Sequence, residues 1–220
     1  MLRVAIDGPG GTGKSTIAKA VASRLGLEYI DTGAMYRSIA LKSIREGVDP
    51  ENEPAVVEML TDTVIDFDDN KVYLDGDDVS GLIRTNEISM QASTISKLGP
   101  VRAKVDEVSK RLAATKNVVM EGRDIGTAVI PDAEVKVFMT AAPEVRARRR
   151  YNQLLEQGKS ANLEQIKEEI EKRDYQDSHR EINPLKQAED AVFLDTSNMT
   201  IDENIDAICK LISEKSGTSK

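Results

Sequence analysis

The stretch Gly8-Pro9-Gly10-Gly11-Thr12-Gly13-Lys14-Ser15 fits the pattern G-x-x-x-x-G-K-[ST] at every specified position. No other feature narrows the folds open to the chain as much. Glycines there let the backbone curl closely around a polyphosphate, the lysine reaches the β and γ oxygens, and the serine hydroxyl can ligate Mg²⁺. Such a loop works only where it leaves a buried strand and opens a helix, whose free N–H groups and positive dipole end must face the phosphates. Both flanks comply. Residues 2–6 are a short apolar run suited to a buried parallel strand, and over residues 15–25 Ile17, Ala18, Val21, Ala22 and Leu25 recur at helical spacing. The nucleotide-contacting candidates are Gly8, Pro9, Gly10, Gly11, Thr12, Gly13, Lys14, Ser15 and Thr16.

With 220 residues, 40% of them hydrophobic, the chain can bury one substantial core, so a single domain with small excursions is expected. The balance of 30 basic against 38 acidic residues, a net charge of −8, disfavours nucleic acid or an anionic membrane as the main partner. Any anion site must then be local. The absence of Trp and the small number of Phe and Tyr leave few platforms for stacking single-stranded bases. Cys209 stands alone and cannot close an intrachain disulfide, and no apolar run approaches the ~18 residues of a membrane span. Met1 leads into a strand rather than a leader segment, and a reducing cytoplasm is the expected setting. His179 has no Cys or other His to join it in a transition-metal site.

Further along, residues 27–30 suit a second strand, which Asp31-Thr32-Gly33-Ala34-Met35-Tyr36-Arg37 turns into a helix running to about residue 47. Arg37 falls early in it, where an arginine serves either a solvated face or a phosphate beside the helix N-terminus. A short helix over 54–60 gives way to small strands at 64–67, 71–74 and 77–79, joined by Asp-Asn and Asp-Gly turns, which resemble an inserted antiparallel lobe. Helices over 87–97 and 100–113 carry Ser93 and Arg102. A buried strand over 117–124 ends in Glu121, Arg123 and Asp124, either ordinary surface charges or ligand contacts beyond a carboxyl end. After a strand at 135–139, Pro143 begins a helix on which Arg146, Arg149 and Arg150 share a face, with Arg148 beside them. Gly158 breaks it and a glutamate-rich helix over 163–173 follows, so the two arms form either a solvated hairpin or a mobile arginine-bearing lid. A strand at 191–195, a helix over 201–212 and a fraying polar tail over 213–220 complete the chain.

Taken together, the phosphate loop, the segment Asp31 to Arg37 and Glu121-Gly122-Arg123-Asp124-Ile125-Gly126-Thr127 make the chain resemble the bacterial cytidylate kinases over nearly its whole length. The family's further landmarks follow in order: residues 77–84, 146–158, Arg173-Asp174 through Arg180, and Asn183-Pro184-Leu185. Some relatives carry Asp where Glu121 stands and Ser where Thr32 stands, changes that keep the functional group.

The resemblance implies an α/β fold of the P-loop NTPase type. A parallel sheet flanked by helices would form the core (about 1–36, 85–145 and 175–220), with an NMP-binding insertion (about 37–84) and a helical lid (about 146–174). It implies phosphoryl transfer from ATP to CMP, and to dCMP, by a cytoplasmic monomer of pyrimidine nucleotide metabolism. Arg37, Arg123 and Arg180 would hold the CMP phosphate, Ser93, Arg102 and Asp124 the base, and Arg173 and Asp177 the sugar, with Thr32 also in the acceptor site. Lys14, Arg123, Arg180 and Arg149 would neutralise charge on the moving phosphoryl group. Mg²⁺ would sit on Ser15, with Glu121, or Asp7 before the loop, orienting its waters.

The chemistry agrees: cytosine offers an amino donor beside ring and carbonyl acceptors, which a carboxylate and an arginine complement. The rival readings are another nucleoside monophosphate or small-metabolite kinase on the same fold, a nucleotide-switched regulator, and a non-catalytic nucleotide-binding module. Guanine-specific switches usually carry Asn-Lys-x-Asp, whereas Asn70-Lys71 is followed by Val72-Tyr73.

Overall fold

The computed structural model describes residues 1–68 and 71–216. The Asp69-Asn70 turn and residues 217–220 of the expected tail lie outside the described residues. The first half runs β1 (Arg3–Asp7), α1 (Lys14–Leu25), β2 (Glu28–Asp31), α2 (Thr32–Glu46), α3 (Glu53–Leu60), β3 (Ile65–Asp68), β4 (Lys71–Leu74), β5 (Asp77–Asp78), α4 (Asn86–Ile95) and α5 (Gly99–Thr115). The second half runs β6 (Val118–Gly122), β7 (Val135–Thr140), α6 (Pro143–Glu156), α7 (Leu163–His179), β8 (Val192–Asp195) and α8 (Ile201–Ser216).

The apolar runs of β1, β6 and β7 are buried on both faces, as a sheet sandwiched between helices requires. Among the described residues the strands of the main sheet that precede Leu27 or follow Asn117 have the order β6-β1-β7-β8. β1 is paired in parallel on both sides, Arg3 opposite Val118 through Asp7 opposite Gly122, and Val4 opposite Val135 through Asp7 opposite Phe138. β8 extends the sheet from β7, with Thr140 opposite Asp195. Asp7, Gly122, Thr140 and Asp195 therefore end their strands along one edge, where ligands of open parallel sheets bind. β8 is an edge strand with one face toward solvent, and Phe193 lies half-exposed against Phe138 with ring centroids 6.4 Å apart.

The chain separates into two compact units, Met1–Leu27 with Val118–Lys220, and Glu28–Asn117. In the first, α8 packs on α1, and α6 packs along α7. α7 continues through His179, beyond the expected end at residue 173. Residues 174–179 contain no glycine or proline, and Asp174 and Asp177 are anchored by ion pairs to Arg146 and Arg123. α8 likewise reaches Ser216 instead of stopping at 212, so the start of the expected tail is helical.

In the second unit Asp31 caps α2 by accepting from the Ala34 N–H at 3.0 Å, and α2 packs against α4 and α5. The small sheet is antiparallel, β3-β4-β5, and the expected Asp75-Gly76 turn joins β4 to β5 with Asp75 at φ 51°. Lys42 is buried, with its ammonium 3.0 Å from Asp62 and 2.9 Å from Asp75, so one side chain ties α2 to the loops on either side of β3 and β4.

Candidate active site

The loop between β1 and α1 is held by contacts that tolerate no side chain at its first residue. Gly8 has φ 147°, and a Cβ there would stand 1.9 Å from the Met139 carbonyl oxygen at the end of β7. Lys14 opens α1 and folds back over the loop, where its Nζ donates to the Gly8 and Pro9 carbonyls at 2.7 Å each. Thr12 Oγ1 closes a turn on the Pro9 carbonyl at 3.3 Å. Burial drives the Lys14 ammonium down to about 7, assisted by the Arg123 charge and opposed by Glu121 and Asp7. An anion delivered to this spot would restore the ammonium. Ser15 and Thr16 stand exposed in the first turn of α1, while Glu121 is buried one residue before the end of β6.

Two α6 arginines of the expected shared face reach carbonyls of the loop. Arg146, only 3% exposed, donates from Nε to the Ala141 carbonyl (2.8 Å), from Nη1 to the Gly10 carbonyl (3.1 Å) and from Nη2 to Asp174 (2.6 Å). Arg149 Nη1 donates to the Thr12 carbonyl and to Thr196 Oγ1, both at 3.2 Å, and its Nη2 to the Thr196 carbonyl at 2.7 Å. Arg150 turns to Gln153 along its own helix, and Arg148 is exposed. A cavity of about 470 Å³ opens beside these groups, lined by Pro9, Phe138, Pro143, Arg146, Asp174 and Leu185 among others. Thr196, between β8 and α8, gave no signal in the sequence. Asp174 carried one in retrospect, since it lies three residues before Asp177 on the same helix.

Beyond the end of β6, Arg123 Nε meets Asp177 at 2.9 Å, and Arg180 Nη2 meets Asp124 at 3.2 Å. The expected phosphate-binding arginines thus stand paired with the expected sugar and base carboxylates, which keeps all four charges compensated where they are largely buried. Burial pushes the Asp177 carboxyl up, but the charges of Arg123, Arg173 and Arg180 outweigh it and hold the group below the usual carboxylate range. Arg173 is exposed on α7.

Asp7, expected beside Mg²⁺ waters, is held at the end of β1 by the backbone beyond β6. Its two oxygens accept from the backbone N–H groups of Ile125 (2.8 Å) and Gly126 (2.7 Å), fixing a π-type turn over Ile125–Val129. Burial raises its carboxyl to about 6 despite those two donors.

Within the second unit, Arg37 Nη2 lies 2.7 Å from Asp31, the residue that caps its own helix. Gly33 keeps that pair clear, since a Cβ would come within 3.1 Å of both side chains. Arg102 is buried, its guanidinium 5.7 Å from the centre of the Tyr36 ring and its Nη1 3.5 Å from the Ser96 carbonyl. Ser93 lies on α4, its carbonyl accepting from Ser96 Oγ at 3.1 Å, and Thr32 is buried at the start of α2.

The profile of the family described as cytidylate kinase matches residues 4–214. The chain belongs to the cytidylate kinase family. It is 48% identical over 219 residues to a cytidylate kinase of Lactobacillus johnsonii, covering 98% of this chain and 95% of that one. A cytidylate kinase of Chlorobaculum tepidum is 48% identical over 217 residues, covering 96% and 92%. Among solved structures, a shikimate kinase from Bacteroides thetaiotaomicron superposes with a TM-score of 0.50 at 14% identity, covering 96% of this chain and 98% of that one, a likeness of fold alone. For this member of the cytidylate kinase family the expected α/β architecture holds: a helix-flanked sheet and a small separate antiparallel one. Among the described residues no helix is long and apolar enough to cross a membrane.

Proposed function

We propose that this chain transfers the γ-phosphoryl group of ATP to CMP, releasing ADP and CDP, with dCMP as a second acceptor. The observation that carries the reading is the family match over residues 4–214. The site supports it. Phosphoryl transfer spreads negative charge over the equatorial oxygens and asks the protein for alignment and neutralisation rather than covalent chemistry. Lys14 leaves the Gly8 and Pro9 carbonyls for the β and γ oxygens, and the loop N–H groups cradle the phosphates. Arg123 and Arg180 exchange their carboxylate partners for the acceptor phosphate, which Arg37 also meets. That exchange frees Asp124 to accept from the cytosine amino group, with Ser93 and Arg102 completing base recognition and Thr32 assisting. Arg173 and Asp177 hold the sugar, and Arg149 neutralises charge on the donor side.

A hard cation suits the oxygen set of an exposed Ser15 hydroxyl and a buried Glu121 carboxylate, so Ser15 would bind Mg²⁺ directly and Glu121 through water. Held by these two groups, the cation would supply positive charge against that of the donor phosphates. In the same reading residues 146–174 form a lid, 37–84 an acceptor-binding insertion, and the enzyme acts as a monomer in the pyrimidine nucleotide metabolism of a reducing cytoplasm.

The test is a panel of CMP, dCMP, UMP, AMP and GMP, with shikimate as a small-metabolite control, each assayed with Mg-ATP. The reading expects CMP and dCMP to exceed the others by at least tenfold in kcat/KM. Preference for another acceptor, or no turnover with any, overturns it.

A further inference from the structure

The α6 arginines touch the phosphate loop in a patterned way. Arg146 binds the carbonyl of Gly10 and Arg149 the carbonyl of Thr12, alternate peptide units of the same loop. A peptide unit is planar, and with no cis bond in the described residues the N–H of the next residue points opposite to that carbonyl. Holding the Gly10 oxygen from behind therefore aims the Gly11 N–H forward, and holding the Thr12 oxygen aims the Gly13 N–H forward. Both N–H groups belong to glycines at positive φ, 78° for Gly11 and 94° for Gly13, which without a side chain have little else to stop their peptide units from rotating.

We infer that Arg146 and Arg149 are positioning residues that lock the Gly11 and Gly13 amides toward the donor phosphates from behind the loop. The inference rests on the nucleotide-binding reading of the loop and deepens it, recasting Arg149 as a support instead of a group on the moving phosphoryl.

Each arginine is itself braced. Arg146 is sealed between the Ala141 carbonyl and Asp174, and the Gly11 Cα packs so closely that a Cβ there would meet Arg146 Cβ at 3.3 Å. Arg149 is held by both oxygens of Thr196, whose hydroxyl also lies 3.3 Å from the Thr12 carbonyl and 3.0 Å from that of Thr140. Positive charge behind a carbonyl also polarises the peptide and strengthens its N–H as a donor, so orientation and donor strength change together. A lysine cannot reproduce this, because one ammonium cannot span the loop carbonyl and its brace in the fixed planar fork of a guanidinium.

The experiment is amide NMR on the full chain, with binding of Mg-ATP and of CMP measured on the same samples. In Arg149→Lys the Gly13 amide resonance should move while that of Gly11 stays, and in Arg146→Lys the reverse. Each variant should bind Mg-ATP about tenfold more weakly, the usual scale for a lost charged hydrogen bond, with CMP affinity unchanged. Thr196→Val gives an independent arm that leaves both arginines in place and should shift Gly13 in the same direction as Arg149→Lys. If Arg149→Lys leaves the Gly13 amide and Mg-ATP affinity as in the wild type and lowers only kcat, Arg149 is a group on the transferring phosphoryl and the inference is wrong. Failure of the wild-type protein to bind Mg-ATP would instead overturn the nucleotide-binding reading beneath it.

Discussion

Asp7→Asn isolates a buried charge at the root of the site. The Asp7 carboxylate is 5% exposed and accepts two backbone N–H groups, yet burial, with the nearby Asp124 charge adding to it and Lys14 opposing it, raises the group from the ordinary aspartate value of 3.8 to about 6. The folded state therefore binds this proton more tightly than the unfolded chain between those two values, and stability falls as pH rises through that window. A shift of roughly two units corresponds to about 2.5 kcal/mol lost between pH 4 and pH 7.5. Asparagine cannot titrate, and like the protonated acid it meets one of the two N–H groups with an oxygen. Near pH 4 the two proteins should be within about 1 kcal/mol of each other. By pH 7.5 Asp7→Asn should be more stable by about 2.5 kcal/mol, because the other titrating carboxylates are common to both and cancel. Urea denaturation of both proteins at pH 4.0, 5.0, 6.0 and 7.5 gives the difference directly. A difference that does not change with pH, or a wild type that gains on the variant as pH rises, would show that the Ile125 and Gly126 donors outweigh burial and would refute the argument.

Lys14→Ala should remain folded while kcat falls about a hundredfold or more, since its charge acts on the transition state; near-normal turnover in a folded variant would remove the loop from the chemistry. Gly8→Ala drives a Cβ to 1.9 Å from the Met139 backbone oxygen, so it should cost roughly 3 kcal/mol in urea denaturation, and a loss under about 1 kcal/mol would mean that the β7 end yields easily. Hydrogen exchange across residues 148–162, which include Gly158, should slow when a bisubstrate ATP–CMP mimic binds, whereas unchanged exchange would mark α6 and α7 as a static hairpin.

What could be read in advance follows the range of the interactions responsible. The loop from Gly8 to Ser15 and its strand and helix are local matters of glycine placement and periodicity, and they stand where expected. The turn over Ile125–Val129 was not legible, because what fixes it is a carboxylate 118 residues earlier in the chain. The last turns of α7 escaped for a similar reason: Asp174, Ser178 and His179 are indifferent helix formers, and distant arginines hold that segment helical. Spacing put Arg146 and Arg149 on one face of α6, but whether that face met solvent, a phosphate or the back of a loop depended on packing that no local pattern encodes.

The assignment of the acceptor is tested most directly by the ratio of kcat/KM for CMP to that for UMP, with saturating Mg-ATP, in the wild type, Asp124→Ala and Arg37→Ala. Asp124 is buried and paired with Arg180 at 3.2 Å, so removing it also disturbs an arginine proposed for the phosphate. That disturbance strikes both acceptors equally and cancels in the ratio. Losing the acceptor of the cytosine amino group should cost CMP about 1–3 kcal/mol, and uracil, which presents a carbonyl there, should be relieved of repulsion. The ratio should fall about 5- to 150-fold in Asp124→Ala. In Arg37→Ala both acceptors should weaken together and the ratio should stay within about twofold of the wild type. An unchanged ratio in Asp124→Ala with a collapsed one in Arg37→Ala would contradict the account.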